Sequence, residues 1–272
     1  MKRREKAMAI AWEQGRDQSV LETVEREGPW TEALDYYDAL DTSSDVDQIS
    51  IGDIVSYNDT EENWPVVDGY GTLVARWAAD VPVQLNTAAT TIRWGNSGVS
   101  VETHRGVLQA KCAVIAVSTG VLGSGDIRFL PELPAEKGQA IEALPLGNYN
   151  RIRLVVDRHL FADDVPERIV TEQSGNSPMQ LSIRPYGFDC VIGIVAGRYA
   201  DWLERAGPGA AREAVTRALC ETFGTNMRNQ IRSDRQSAWR GNAFVRGAYS
   251  TSAPGQFHQR AVLSQAIQNK LF

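Results

Sequence analysis

A mixed α/β fold, α+β in its arrangement, is what this 272-residue sequence predicts, and three patterns carry that prediction. Ala211, Ala214, Val215, Ala218, Leu219 and Phe223 fall at helical spacing after Gly207-Pro208-Gly209, and Gly224 is a natural stop. Thr90–Trp94, Val99–Thr103 and Val107–Ala110 alternate at period two around the turns Gly95-Asn96-Ser97-Gly98 and His104-Arg105-Gly106, the pattern of a three-stranded meander. Tyr149–Val156, behind the punctuation of Pro145 and Gly147, alternates as well. Ile152, Leu154 and Val156 point to one side, and Tyr149, Arg151 and Arg153 to the other. That strand is half-buried, and its charged face must meet water or a ligand.

The other elements follow in chain order. Residues 1–41 read as helical, opening on the basic cluster Met1-Lys2-Arg3-Arg4-Glu5-Lys6, which reads as a solvated helix start. Ser19 and Glu22 form a capping box ahead of Val20, Leu21 and Val24, and Gly28-Pro29 ends that helix. A second helix starts near Thr31 with Leu34, Tyr37 and Leu40 on one face. Residues 41–63 are polar and predict a loop with a short ordered piece at Ile49–Val55. A short helix capped by Thr72 is expected to bury Leu73, Val74 and Trp77, followed by a strand at Val83–Leu85. The unbroken apolar run Cys112–Val117 predicts a strand covered on both faces. Gly120–Pro134 reads as loop, Ala135–Leu144 as helix, and Met179–Ile183 and Cys190–Val195 as strands joined by Arg184-Pro185-Tyr186-Gly187. Ile231–Ser252 reads as strand and loop.

Bulk properties exclude several classes. A net charge of −6 gives no electrostatic reason to expect nucleic acid or an anionic membrane as partner. No apolar run approaches the roughly 18–20 residues of a membrane span, and Glu13 interrupts the short run Ala7–Trp12 before it could serve as a signal peptide. Cys112, Cys190 and Cys220 are odd in number and widely spaced, so they suit neither a disulfide framework nor zinc. A reducing cytoplasm is the expected compartment. The three histidines, His104, His159 and His258, read as surface or turn residues, and no nucleophile–base constellation is visible.

Four segments, in order, carry a family resemblance. They are Val66–Val74 with Val83–Ile92; Ala113–Leu122 followed by Ile127–Pro134; Leu144–Phe161; and Ala238–Ser250 with Pro254-Gly255 behind it. Together they resemble the flavin-containing amine oxidases, the group that includes monoamine oxidases, polyamine oxidases and lysine-specific histone demethylases. The resemblance implies a partial FAD-binding domain with a β-meander plus a substrate domain with a mixed sheet and helices. On that basis residues 1–65 are the helical part of the substrate domain and 66–135 the partial FAD domain. Residues 136–235 are the substrate-domain sheet and helices, and 236–272 return to the FAD domain and are cut short. FAD is the implied cofactor, and an amine and molecular oxygen the implied reactants. The position of Ala89 implies a backbone contact to the adenine end of FAD, that of Trp239 a place beside the flavin, and that of Tyr249 one wall of an aromatic cage. Arg151 stands where the family usually has a catalytic Lys that holds a water near flavin N5. Arginine is planar and permanently charged, so it cannot act as a base.

Two departures accompany the resemblance. The strand–Gly-x-Gly-x-x-Gly–helix fingerprint that would cradle the pyrophosphate is absent: Gly69-Tyr70-Gly71 has Val74 in the sixth place and too short a preceding strand. The family's Phe-Ala-Gly-Glu strand would continue beyond Lys270-Leu271-Phe272. The expectation is therefore a chain truncated at both ends, or one completed by a partner chain that supplies the missing FAD-binding elements. Without the family, Arg151 reads as a solvated strand charge, Tyr249 as a core aromatic beside Phe244, and Trp239 as a buried structural tryptophan. The functional expectation is oxidative deamination of a primary or secondary amine. The rivals are a non-catalytic remnant or subunit that binds no FAD alone, and a sister flavin oxidoreductase such as an L-amino-acid oxidase, in which Arg151 or Arg184 would meet the substrate carboxylate.

Overall fold

The computed structural model describes residues 2–60, 62–171 and 178–272. Met1 of the basic cluster and Glu61 of the polar loop lie outside the described residues. The helices are α1 (Lys2–Glu13), α2 (Val20–Thr23), α3 (Thr31–Thr42), α4 (Ile51–Val55), α5 (Tyr70–Trp77), α6 (Thr119–Leu122), α7 (Ala135–Ala143), α8 (Gly197–Ala206), α9 (Pro208–Phe223) and α10 (Gln259–Ser264). The strands are β1 (Ala89–Gly95), β2 (Gly98–Thr103), β3 (Gly106–Ala110), β4 (Arg128–Leu130), β5 (Tyr149–Val155), β6 (Arg168–Thr171), β7 (Met179–Ile183), β8 (Cys190–Ala196) and β9 (Ser233–Gln236). They form the mixed α and β architecture expected, divided into two compact units: residues 1–55, 115–125 and 134–265, and residues 56–114, 126–133 and 266–272.

The first unit is built on a five-stranded antiparallel sheet in the order β6-β7-β8-β5-β9. One face of β5 supplies Ile152 and Leu154 to the core, and Val156 follows just beyond the strand. Leu181, Ile183, Val191 and Val195 join them from β7 and β8. α9 closes this core with Ala211, Ala214, Val215, Ala218 and Leu219. Its contact face is mostly alanine, and Gly193 in β8 has no side chain, so helix and sheet approach closely. A Cβ at Gly193 would fall within the contact radius of Val215 Cγ2 and lie 2.9 Å from Cγ1. A second core of Met8, Ala11, Val20, Val24, Val46, Ile49 and Ile51 gathers α1, α2 and α4. The Ser19–Glu22 capping box is formed, and Trp12 meets Phe257 edge-on at 5.2 Å.

Several expectations in this unit are corrected. The basic start is not solvated throughout: Arg4 is only 4% exposed and pairs with Asp35 at 2.6 Å. Its Nη2 also lies 2.8 Å from Asp38 Oδ2, close enough to pair electrostatically although the angle is not that of a hydrogen bond. A buried charge is tolerated only with partners, and α3, distant in sequence, provides them. That helix buries Tyr36, Asp38 and Ala39 rather than the Leu34–Tyr37–Leu40 face. α2 is shorter than expected, ending at Thr23 well before Gly28. The stretch read as loop from Gly120 contains the end of α6 in this unit and all of β4 in the second.

The second unit holds the sheet β3-β2-β1-β4, with the meander β1–β2–β3 as expected and β4 parallel to β1. Gly98 and Gly106, at φ +126 and +127, begin β2 and β3 in a region closed to most side chains. Ile92, Trp94, Val99 and Phe129 are buried, and Trp94 Nε1 donates to Pro131 O at 2.9 Å. Three further expectations fail here. α5 begins after Gly69 with Thr72 inside it, and its apolar residues are exposed, Trp77 at 83%. Val83–Leu85 is not a strand, and Val83 and Leu85 are exposed. In Cys112–Val117 only Ala113 makes a β-bridge, to Leu271, while Cys112 and Val114 are exposed. Apolar periodicity defines which residues want cover. It does not provide a neighbouring strand or helix to cover them. The cysteines are free, as expected.

Candidate functional site

The charged face of β5 is where the candidate site is assembled, entirely within the first unit. Register places Arg151 of β5 opposite Ile194 of β8, which in turn stands opposite Gln180 of β7. Arg153 faces Ile192 on one side and Arg235 of β9 on the other. The face alternation anticipated for Tyr149, Arg151 and Arg153 is therefore present, and the opposite residues are core.

Tyr249 lies beside this face. Its ring is 5.4 Å from that of Tyr149, tilted by 40°. The loop that carries it is held by backbone: Gly147 N–H donates to Tyr249 O at 2.9 Å, and Tyr249 N–H donates to Ser43 Oγ at 3.1 Å. Arg151 Cζ sits 5.8 Å from the Tyr149 ring centroid, within cation–π range. Partial burial works against the Arg151 charge, but the Tyr149 phenol, followed by Tyr249 and Tyr186, more than offsets it, so its pKa stands above the ordinary arginine value. Among the described residues Arg151 makes no ion pair with a carboxylate. Tyr186 belongs to the β7–β8 turn, where it and Arg184 both adopt left-handed backbone, φ 55 and 50. Non-glycine residues in that region carry strain, which structures retain chiefly where the turn has a purpose.

Trp239 is 43% exposed in the loop after β9, so it is not the buried structural residue its type suggests. Nor is Tyr249 a core residue: it is 47% exposed, and Phe244 is more exposed still. The Trp239 loop is tied down by two acids of α8. Glu204 Oε1 accepts from Gly241 N–H at 2.6 Å, and its Oε2 accepts from the side chains of Asn148 and Asn150, each at 2.9 Å. Burial pushes the Glu204 pKa up, but these donors prevail and hold it below the ordinary carboxylate value. Asp201 receives Arg240 at 3.0 Å and Asn148 at 3.0 Å. Ser237 links the loop to the strand, accepting from Arg151 N–H and donating to Asn150 Oδ1, both at 2.9 Å.

The structure thus brings Arg151 and Tyr249 together through Tyr149, which sequence reasoning did not assign to a site. Tyr149 had a visible signal, its place on the same strand face. Glu204 and Asp201 had none, since they lie about fifty residues from the strand they organise. Ala89 belongs to the second unit, where it opens β1 opposite Thr103 beside a bulge and is half-buried. The residues fit the ring end of a flavin better than its phosphates. Arg151, Tyr249 and Trp239 present exposed polar and aromatic groups. Gly69, by contrast, only opens α5, with no strand leading into it among the described residues and no third glycine. Among the described residues no group of His, Cys, Asp and Glu could hold a metal, and no helix is long and apolar enough to cross a membrane.

Comparison with known proteins bears on this geometry. Residues 17–267 match the family described as "Flavin containing amine oxidoreductase". Protein FLOWERING LOCUS D of Arabidopsis thaliana is 31% identical over 198 residues, which cover 69% of this chain and 25% of that protein. Probable polyamine oxidase 4 of Arabidopsis thaliana is 30% identical over 161 residues, covering 58% and 32%. A double mutant of Putrescine Oxidase, redesigned in its cofactor binding, superposes with a TM-score of 0.77 over 98% of this chain and 66% of that one, at 14% identity. At that identity the likeness is one of fold. The chain spans about a quarter to a third of the length of these curated relatives.

Proposed function

This chain belongs to the flavin-containing amine oxidoreductase family, and from that membership we propose that it takes part in the FAD-dependent oxidative deamination of a primary or secondary amine. The observation that carries the reading is the Tyr149–Tyr249 pair, 5.4 Å apart on the exposed face of β5 with Arg151 beside it. Tyrosine rings attract an ammonium group and shield the carbon next to it from water.

FAD, when bound, supplies the hydride acceptor, and molecular oxygen takes the electrons onward as peroxide. The oxidised substrate is an imine, which water splits into an aldehyde and ammonia or a smaller amine. In this reading Trp239 meets the flavin, and Ala89 offers its backbone to the adenine end. Tyr249 guides the amine. Arg151 donates hydrogen bonds and fixes a positive charge in the site, and takes no proton. Glu204 and Asp201 keep the Trp239 loop in place. No glycine-rich cradle follows a strand among the described residues, so none of them is assigned to the pyrophosphate.

That same lack favours a second reading, a non-catalytic subunit that binds no FAD alone. One measurement separates the two. The purified chain is mixed with FAD, passed over a desalting column and scanned in the visible range, then mixed anaerobically with a panel of amines. Retained flavin absorption that bleaches with an amine supports the oxidase. A protein that leaves the column colourless refutes it for this chain and supports the subunit.

A further inference from the structure

We propose that β3, the outer strand of the meander, is a docking edge that takes up one further strand from a partner protein: an extended segment with an apolar residue at its centre and an acidic residue three places to either side. The proposal stands apart from the amine-oxidising reading above and needs no flavin.

A sheet edge leaves a row of backbone N–H and C=O groups without a strand to pair with, and proteins blunt such edges with charged side chains, proline or very short strands. The orders β3-β2-β1-β4 and β6-β7-β8-β5-β9 leave four edges among the described residues. Three of them are blunted from within. β4 is three residues long, carries Arg128 and is followed by Pro131; β6 carries Arg168; β9 carries Asp234 and Arg235. β3, Gly106-Val107-Leu108-Gln109-Ala110, has neither charge nor proline and is exposed at every residue.

Register shows what this edge lacks. Ile92 of β1, Val101 of β2 and Leu108 of β3 stand opposite one another in a single row across the meander. Ile92 is buried, Val101 half-buried and Leu108 48% exposed. The row loses cover strand by strand toward the edge. An apolar residue on an added strand, placed opposite Leu108, would complete it.

The charges at the two ends of β3 select the occupant. Arg105 immediately precedes the strand and Lys111 immediately follows it. The other charges of the meander, Arg93 and Glu102, pair with each other at 2.6 Å. Neither Arg105 nor Lys111 pairs with an acid among the described residues. In an antiparallel ladder centred on Leu108, Arg105 of one copy would meet Lys111 of a second copy, and like charges set opposite each other destabilise a sheet. The flanking charges therefore work against self-association. They favour a strand whose acidic residues fall opposite positions 105 and 111, which gains two ion pairs in addition to main-chain hydrogen bonds.

The test uses two nine-residue peptides, acetyl-Thr-Glu-Thr-Thr-Val-Thr-Thr-Glu-Thr-amide and its analogue with lysine in place of both glutamates. Threonine and valine favour the extended conformation in both. Binding to the full chain at low ionic strength is measured by calorimetry, with wild type and the Arg105→Glu/Lys111→Glu double variant. Hydrogen exchange reports where the peptide sits. Wild type should bind the glutamate peptide more tightly than the lysine peptide by about fivefold or more, and the double variant should reverse that order. The preference should fade at about 1 M salt, where charges are screened within ~3 Å. Exchange should slow in Val107–Ala110 and stay unchanged in β9. Both substituted residues are exposed, so the variant should keep the wild-type circular dichroism. A wild-type chain that does not bind the glutamate peptide overturns the proposal. So does a double variant with the same preference as wild type, or protection that appears outside β3. If concentrating the wild-type chain alone slows exchange in β3, the edge belongs to a second copy and the proposal fails.

Discussion

Substituting Gly193 with alanine should destabilise the first unit, and the same substitution should cost little further once Val215 has been shortened to alanine. Gly193 lies in the middle of β8, between Ile152 of β5 and Leu181 of β7. An added Cβ would overlap Val215 Cγ2, lie 2.9 Å from Val215 Cγ1 and 3.0 Å from Met179 Sδ. Carbon atoms prefer about 3.5–4.0 Å, so the sheet and α9 must separate or Val215 must leave its rotamer. Such overpacking costs about 1–3 kcal/mol. Val215→Ala alone removes two methyl groups from a fully buried site. At ~0.8 kcal/mol for each, with a cavity contribution added, it costs about 2 kcal/mol or somewhat more. Simple addition predicts about 3–5 kcal/mol for the pair. The geometry predicts about 2, because the new methyl at 193 occupies the space vacated at 215, a favourable coupling of about 1–3 kcal/mol. Urea unfolding of the wild type, both single variants and the double variant, followed by circular dichroism, measures the cycle. A double variant whose loss equals the sum of the singles to within about 0.5 kcal/mol would show that the two residues do not face one another.

Further consequences can be checked in the same unit. Tyr36→Phe removes a hydroxyl that donates to Ile194 O at 2.7 Å and accepts from Gln180 N–H at 2.6 Å. Leaving two backbone groups of the sheet without that partner should cost about 1–3 kcal/mol, and an unchanged urea midpoint would contradict the bond. Burial, opposed by Arg4 and reinforced by Asp35 and Asp41, pushes the Asp38 pKa up to about 6. The folded chain then holds that proton more tightly than the unfolded chain, whose value is about 3.9. The stabilisation is complete below pH ~4 and is lost as the pH rises through the folded value, by about 3 kcal/mol in all. Asp38→Asn should therefore gain on wild type by about that amount between pH ~4 and ~7, and a pH-independent difference rules the argument out. Glu204→Ala should release Gly241 N–H and free the Trp239 loop, read as at least tenfold faster hydrogen exchange at Gly241. Exchange as slow as in wild type would mean that the loop is held by other contacts.

Much of this was legible residue by residue, where the signal is local. The alternation of Tyr149–Val155 names both faces of β5, and the buried set Ile152 and Leu154 agrees with it. The glycines at 98 and 106 mark the meander's turns because few other residues take φ near +126. The α9 periodicity picked out the residues that pack on the sheet. α8 was not anticipated: Ala200 and Leu203 are the only apolar side chains it buries fully, too few to set a period. Cys112–Val117 went wrong in the opposite way, because an apolar run looks like a central strand whether or not neighbours arrive to pair with it.

By itself, the sequence determined the fold class, the strand that carries Arg151, the type of chemistry its family performs and the absence of a glycine-rich phosphate cradle from the residues present. Those are properties of short segments, readable from spacing and side-chain chemistry. Only the tertiary structure decided that Tyr249 stands against Tyr149 a hundred residues away, that Arg184 donates to Val165 O while Arg151 pairs with no acid among the described residues, and that Glu204 holds the loop of Trp239. Contacts of that separation depend on which strands and helices meet, and the free energy that selects them comes from packing the whole unit, which no local pattern contains.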